Sequence, residues 1–199
     1  MDTLKFVLEK YNIDPNADSP VQLPHRRDEL ARLFKELEYK VGAEVGVDRG
    51  LYAEELSKAN PGVKLFCIDP WKIYRKNIDY KDQHVLNINY YNTRKRLRHY
   101  NCEIIKKSST GALKDFASES LDFVYIDANH QFDYIWEDIN GWTKVVKKGR
   151  IISGHDYKSY RHEHIGVSRA VDMYVKEHKI KKLFRFAAKN DSSWMFINE

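Results

Sequence analysis

From residue 40 onward, short apolar runs of strand length alternate with longer stretches of helical spacing. The runs are Val41–Val47, Val63–Ile68, Glu103–Lys106, Leu121–Ile126, Arg150–Ser153, Leu183–Phe186 and Trp194–Ile197. Phe123-Val124-Tyr125-Ile126 is apolar without alternation, which is how a strand covered on both faces reads. Between the runs, Ile135, Ile139, Trp142 and Val146 recur at i, i+4, i+7 and i+11, one stripe of a helix. Strand-helix alternation requires right-handed crossovers and predicts an α/β, doubly wound, mostly parallel sheet of seven strands. The last two runs break the rule. Only Ala187–Ser193 joins them, too short for a crossover helix, so they pair antiparallel as a reversed C-terminal hairpin.

Residues 1–39 read as an N-terminal helical extension to a domain spanning 40–199. Leu4, Val7, Leu8 and Tyr11 make one apolar stripe, and Leu30, Leu33, Phe34 and Leu37 another. Asn12–Pro20 between them is rich in turn formers. No apolar run approaches the roughly 20 residues of a membrane-spanning helix. The first ten residues interleave acid and base with apolar positions, unlike a secretory leader, so a cytoplasmic protein with no membrane partner is expected. Cys67 and Cys102 are too few for a disulfide framework or a zinc cluster and read as reduced, small buried residues. The net charge of +5 permits an acidic partner without demanding one. The basic clusters Arg94–Arg98, Lys147–Arg150 and Lys179–Lys182 fit either solvated helix faces or a phosphate-bearing or acidic substrate.

The first of these strands ends in Glu44-Val45-Gly46-Val47-Asp48-Arg49-Gly50. Glycines here let the backbone turn sharply and a ligand approach closely. The spacing is Gly-x-x-x-Gly, not the Gly-x-Gly-x-x-Gly that cradles a pyrophosphate, which disfavours a dehydrogenase. A carboxylate at Glu44 suits a ligand carrying an amine or a sulfonium. The second strand ends in Ile68-Asp69-Pro70-Trp71, where an acid can accept from two ribose hydroxyls.

Glu-Val-Gly-Val-Asp-Arg-Gly and Ile-Asp-Pro-Trp resemble the first two motifs of class I S-adenosylmethionine-dependent methyltransferases. Phe123–His130 followed by a helix, then Gly149–Tyr157, resemble the small-molecule O-methyltransferase-like branch. The resemblance runs from about Val41 to the C-terminus and implies a Rossmann-like fold with S-adenosylmethionine as cofactor. It implies that Glu44, Gly46, Val47 and Gly50 line the methionine and ribose portion. Asp69 would hold the ribose hydroxyls, with Pro70 and Trp71 beside the adenine. Lys107-Ser108-Ser109 stands where the family places a contact to the adenine edge. The usual acid is missing, so Ser108, Ser109 or backbone groups serve. Lys147-Lys148-Gly149 replaces the family's Pro-Gly-Gly.

Methyl transfer is an in-line displacement in which alignment supplies much of the rate. An alcohol or phenol must also lose its proton, and a positioned base helps. Asp127, His130, His155 and Asp156 fall at the ends of the fourth and fifth strands, with Asp127 next to the expected sulfonium. Histidine titrates near neutrality and suits a base, although either histidine equally suits a structural hydrogen bond. Alternatively, Asp127 and Asp156, with His155 or Asn129, would bind Mg2+ and polarise the acceptor hydroxyl. His162 and His164 read as further ligands or as a surface loop. Tyr74–Asn89 and Tyr157–Gly166, aromatic and charged, are the expected substrate-selecting loops for a hydroxylated sugar-like or aromatic molecule. The N-terminal helices would lid the pocket or form a homodimer contact. An RNA methyltransferase and a non-catalytic cofactor-binding protein are the alternatives. An enzyme acting on a flipped base would want Asp/Asn-Pro-Pro-aromatic, where this chain has Asp127-Ala128-Asn129-His130.

Overall fold

The computed structural model describes residues 2–74, 82–157, 165–186, 188 and 192–199. In chain order the elements are α1 (Thr3–Lys10), β1 (Val21–Leu23), α2 (Arg27–Glu36), β2 (Val41–Val45), α3 (Leu51–Ala59) and β3 (Lys64–Ile68). Then come α4 (Gln83–Leu97), β4 (Cys102–Ile105), α5 (Ser109–Ala112) with a 3-10 turn, β5 (Leu121–Ile126) and α6 (Phe132–Val145). The chain closes with β6 (Val146–Gly154), α7 (Ile165–Glu177), β7 (Leu183–Phe186) and β8 (Ser193–Ile197).

The strands form one sheet in the order β1-β7-β8-β6-β5-β2-β3-β4. All neighbours are parallel except β8, which runs against both β6 and β7. The seven expected strands are all present. An eighth, β1, pairs in parallel with β7 through Val21 and Phe184. Its three residues lie between Pro20 and Pro24, too few for any periodicity to register.

Helices cover both faces of the sheet. On one side, Leu30, Leu33 and Phe34 of α2 and Tyr52 and Leu56 of α3 meet Leu65, Phe123 and Tyr125. On the other, Ile135, Ile139 and Trp142 of α6 and Val167 and Val171 of α7 meet Val45, Val124 and Ile152. Alternating side chains of the inner strands feed the two cores, which is why these strands read as unbroken apolar runs. α2 carries Asp28 and Glu29 in its first turn and Lys35 in its last, matching the helix dipole. The α6 stripe holds, except that its fourth member, Val146, already belongs to β6, because helix passes directly into strand. Cys67 is buried, Cys102 half-buried, and both are free thiols. Among the described residues no helix is long and apolar enough to cross a membrane.

Register positions the site. Ile105, Ile68, Val45, Ile126 and Gly154 are successive cross-strand partners from β4 to β6. The next residue on each of β3, β2, β5 and β6 is Asp69, Gly46, Asp127 and His155, so the sheet delivers these four to one edge. The chain winds outward from β2 to β4 and returns to β5 on the other side of β2. A crevice at the carboxyl ends of β2 and β5 follows from that reversal.

Candidate active site

A cavity of about 400 Å3 occupies this crevice. Glu44, Gly46, Val47, Asp69, Pro70, Ser109 and Asp127 of the expected site residues line it, as does His130. Arg27, Asp48, Arg49, Tyr52, Lys72, Tyr74 and Asn129 complete its polar wall.

The floor is built by backbone. The N–H groups of Gly46, Asp127, His155 and Asp69 continue the sheet ladder, donating to Ile68, Val45, Ile126 and Ile105 at 2.7–3.2 Å. Gly46 has φ +91°, and a Cβ there would stand 2.1 Å from the Asp127 carbonyl oxygen. Only glycine lets the two strand ends approach this closely. Gly50 caps α3 at φ +71° and does not line the cavity.

Asp69 organises the loop above β2. Its Oδ2 accepts from the N–H groups of Val47 and Asp48, both at 3.0 Å, and its Oδ1 from that of Trp71 at 2.7 Å. Burial raises its carboxyl above the ordinary range, against the pull of those three bonds. Asp48 and Trp71 hold left-handed backbone, at φ +49° and +40°, and the Asp69 carboxylate sustains both. Trp71 does not reach the cavity. Its indole, 1% exposed, donates to the Asp48 carbonyl at 2.8 Å and lies 5.0 Å from the Tyr90 ring. It anchors the loop. Ser108 also turns away, its Oγ accepting from the Gly111 N–H.

Glu44 points from β2 into the crevice and is 2% exposed. Its Oε2 has no hydrogen-bond partner among the described residues. Burial and the nearby Asp127 charge push its carboxyl well above the usual range, while Arg27 opposes the rise. A buried acceptor left unsatisfied is costly, and a cationic donor arriving in the cavity would relieve it. Arg27 enters from α2. Its guanidinium lies 4.7 Å from the Tyr52 ring centre and 3.9 Å from Asp127.

Beyond Asp127 the polar cluster continues. His130 Nε2 stands 3.0 Å from Asp156 and 3.8 Å from Asp127. His155 Nδ1 stands 3.3 Å from Asp156 and 3.8 Å from Asp127. Asp156 adopts φ +61°, a strained value for a non-glycine residue, which aims its carboxylate back at both rings. Burial lowers the pKa of His130, but hydrogen bonds and charge from Asp127 and Asp156 outweigh it and raise the ring to about 10. Asp156 is half-buried; desolvation raises its carboxyl, but the two histidines hold it far below the usual carboxylate range. His130 is therefore an imidazolium at neutral pH and has no free site for a proton. His155 and Asp156 do not line the cavity wall itself.

The atoms of Asp127, His130 and Asp156 that face each other all lie within 4.8 Å. Two carboxylates suit a divalent cation. The His130 ring can join them only after losing its proton, and then favours a borderline metal over Mg2+, which prefers oxygen. His162 and His164 lie outside the described residues, as do residues 75–81 and 158–164 of the two expected substrate loops. The rest of the first is not loop, because residues 83–89 already belong to α4, capped by Asp82. Tyr74 marks the start of the first loop, its hydroxyl accepting from Asn129 Nδ2 at 3.0 Å. Arg27 had no local signal, because it belongs to a helix whose pattern speaks only of its apolar face. Tyr52 was legible as an inner-face residue, not as part of the wall.

A family described as a methyltransferase domain matches residues 43–157. No curated protein matches the chain by sequence. Among solved structures, cofactor-bound Rv0187 from MTB is similar with a TM-score of 0.66 at 13% identity, over 99% of this chain and 90% of that one. The O-methyltransferase from Bacillus cereus in complex with SAH has a TM-score of 0.60 at 15% identity, over 99% and 91%. The O-methyltransferase TomG from Streptomyces achromogenes, involved in tomaymycin synthesis and solved with SAM, has 0.62 at 15%, over 99% and 90%. With the family model covering more than half of the chain, this protein belongs to the methyltransferase-domain family, and it shares its fold from end to end with solved O-methyltransferases.

Proposed function

We propose that the chain transfers a methyl group from S-adenosylmethionine to a hydroxyl oxygen of a small, sugar-like or aromatic acceptor. The observation that carries the reading is Glu44, a buried carboxylate with an unpartnered oxygen, set one glycine bend away from Asp69 in a single cavity. Glu44 receives the ammonium of the methionine portion, and Asp69 accepts from a ribose hydroxyl with the one lone pair left on its Oδ1. Val47 and Pro70 flank the nucleoside, and Ser109 faces the base. The bound cofactor supplies an activated methyl group, whose transfer to oxygen is an in-line displacement.

The acceptor enters beside Asp127. His130, held as a cation, stabilises negative charge developing on the acceptor oxygen. It is not the base; that role falls to His155, which stands behind the cavity wall and is reached through the Asp127 carboxylate 3.8 Å from its ring, with Asp156 orienting it. A divalent ion held by Asp127 and Asp156 would instead polarise the hydroxyl. Turnover after exhaustive chelation separates the two routes. Retention assigns the proton to His155, and loss assigns its activation to a metal.

Calorimetry with S-adenosylhomocysteine tests the cofactor assignment. Saturable heat is expected, and Glu44→Gln should weaken binding about tenfold or more, as for a lost hydrogen bond to a charged partner. Absence of heat with the unsubstituted protein would sink the reading. Transfer of a labelled methyl group to a panel of hydroxylated small molecules then identifies the acceptor.

A further inference from the structure

Ser109 opens α5 just past β4 and lines the cavity. Its hydroxyl meets two side chains of α6. It is hydrogen-bonded to the Asp138 carboxyl group, and the Trp142 indole donates to it at 2.8 Å. The indole has no latitude. Trp142 is fully buried, Phe116 meets it edge-on at 5.3 Å, and Phe66 meets Phe116 edge-on at 5.0 Å. Asp138 is itself 4% exposed. Burial pushes its carboxyl up to about 7, against the pull of the Ser109 hydrogen bond.

A serine hydroxyl has one proton and two lone pairs. An indole N–H only donates, and an ionised carboxylate only accepts. Once Asp138 is ionised, above about pH 7, the Ser109 proton is committed to it and one lone pair to Trp142. Toward the cavity Ser109 is left with one lone pair and no proton.

On the reading of the cavity as an S-adenosylmethionine site, we propose that Asp138, by holding the hydroxyl proton, fixes Ser109 as an acceptor for the exocyclic amine of adenine, selecting against a base that carries oxygen there, while Trp142 holds the hydroxyl in place. Ser109 touches the base; Asp138 is a positioning residue that acts through it. This explains how a site lacking an acid at that place still reads the amino edge. An oxo base sets lone pair against lone pair and leaves both unsatisfied.

The test is calorimetry at mildly alkaline pH with two probes, S-adenosylhomocysteine and S-inosylhomocysteine. The unsubstituted protein should prefer the amino nucleoside by about 30-fold or more. Asp138→Asn offers Ser109 an amide donor, frees the hydroxyl proton for the cavity, and should shrink the preference to within about threefold. Trp142→Phe leaves the proton on Asp138, so the preference should persist. Ser109→Ala should weaken the amino nucleoside alone, and it carries the test should Asp138→Asn not fold. A merely structural Asp138 would weaken both nucleosides together and leave their ratio unmoved, which overturns the proposal. So does equal affinity of the unsubstituted protein for both, while the cofactor assignment survives. If neither nucleoside binds, both fall.

Discussion

Asp69 does two things with one carboxylate. It holds three backbone N–H groups, and it faces the cavity. Asp69→Ala should weaken S-adenosylhomocysteine by about 1–3 kcal/mol and lower the Tm as the left-handed loop loses its anchor. Unchanged affinity in calorimetry would refute the ribose role. His130 makes a different kind of prediction. Its pKa is raised from 6.5 to about 10 in the folded state, so its ion pairs stabilise fully below 6.5. That stability fades as pH climbs toward about 10, where the folded ring loses its proton. Melting curves of the protein and of His130→Gln should diverge most at mildly acidic pH, below about 6.5, and converge at alkaline pH. A constant difference across that window would contradict the imidazolium. Glu44 and Asp69 were legible from sequence because each sits at or just beyond a strand end. Asp138 and Arg27 were not. Their partners, Ser109 and Asp127, are brought to them only by the closed fold.

At the level of elements, one row of register explains the site. Because Val45 pairs with both Ile68 and Ile126, and Ile126 with Gly154, a shift of one residue in any pairing would turn its site residue to the wrong face. Gly46 is where the row is tightest. Gly46→Ala combines an unfavourable φ with a contact against backbone that cannot yield. It should cost about 2–4 kcal/mol in chemical denaturation and abolish nucleoside binding. Wild-type stability would show that the strand ends can part. The seven long strands were readable from apolar runs, whereas β1 was not, being a short segment between prolines that acquires its pairing from β7.

At the scale of the whole molecule, the first 39 residues divide their work. Leu30, Leu33 and Phe34 enter the core on one face of the sheet, with Phe34 stacked 4.0 Å from Phe123, and Arg27 reaches the cavity. A protein lacking residues 1–39 should therefore expose this apolar face and aggregate or melt far below the full chain, as light scattering and calorimetry would report. A soluble, cooperatively folding 40–199 fragment would show that the helices are an appendage. The pairing of Val21 with Phe184 carries a further consequence for biosynthesis. β1 leaves the ribosome long before its neighbour exists, so the sheet cannot seal that edge during translation. The final hairpin must emerge first, and until then Val21–Leu23 is a client awaiting its template.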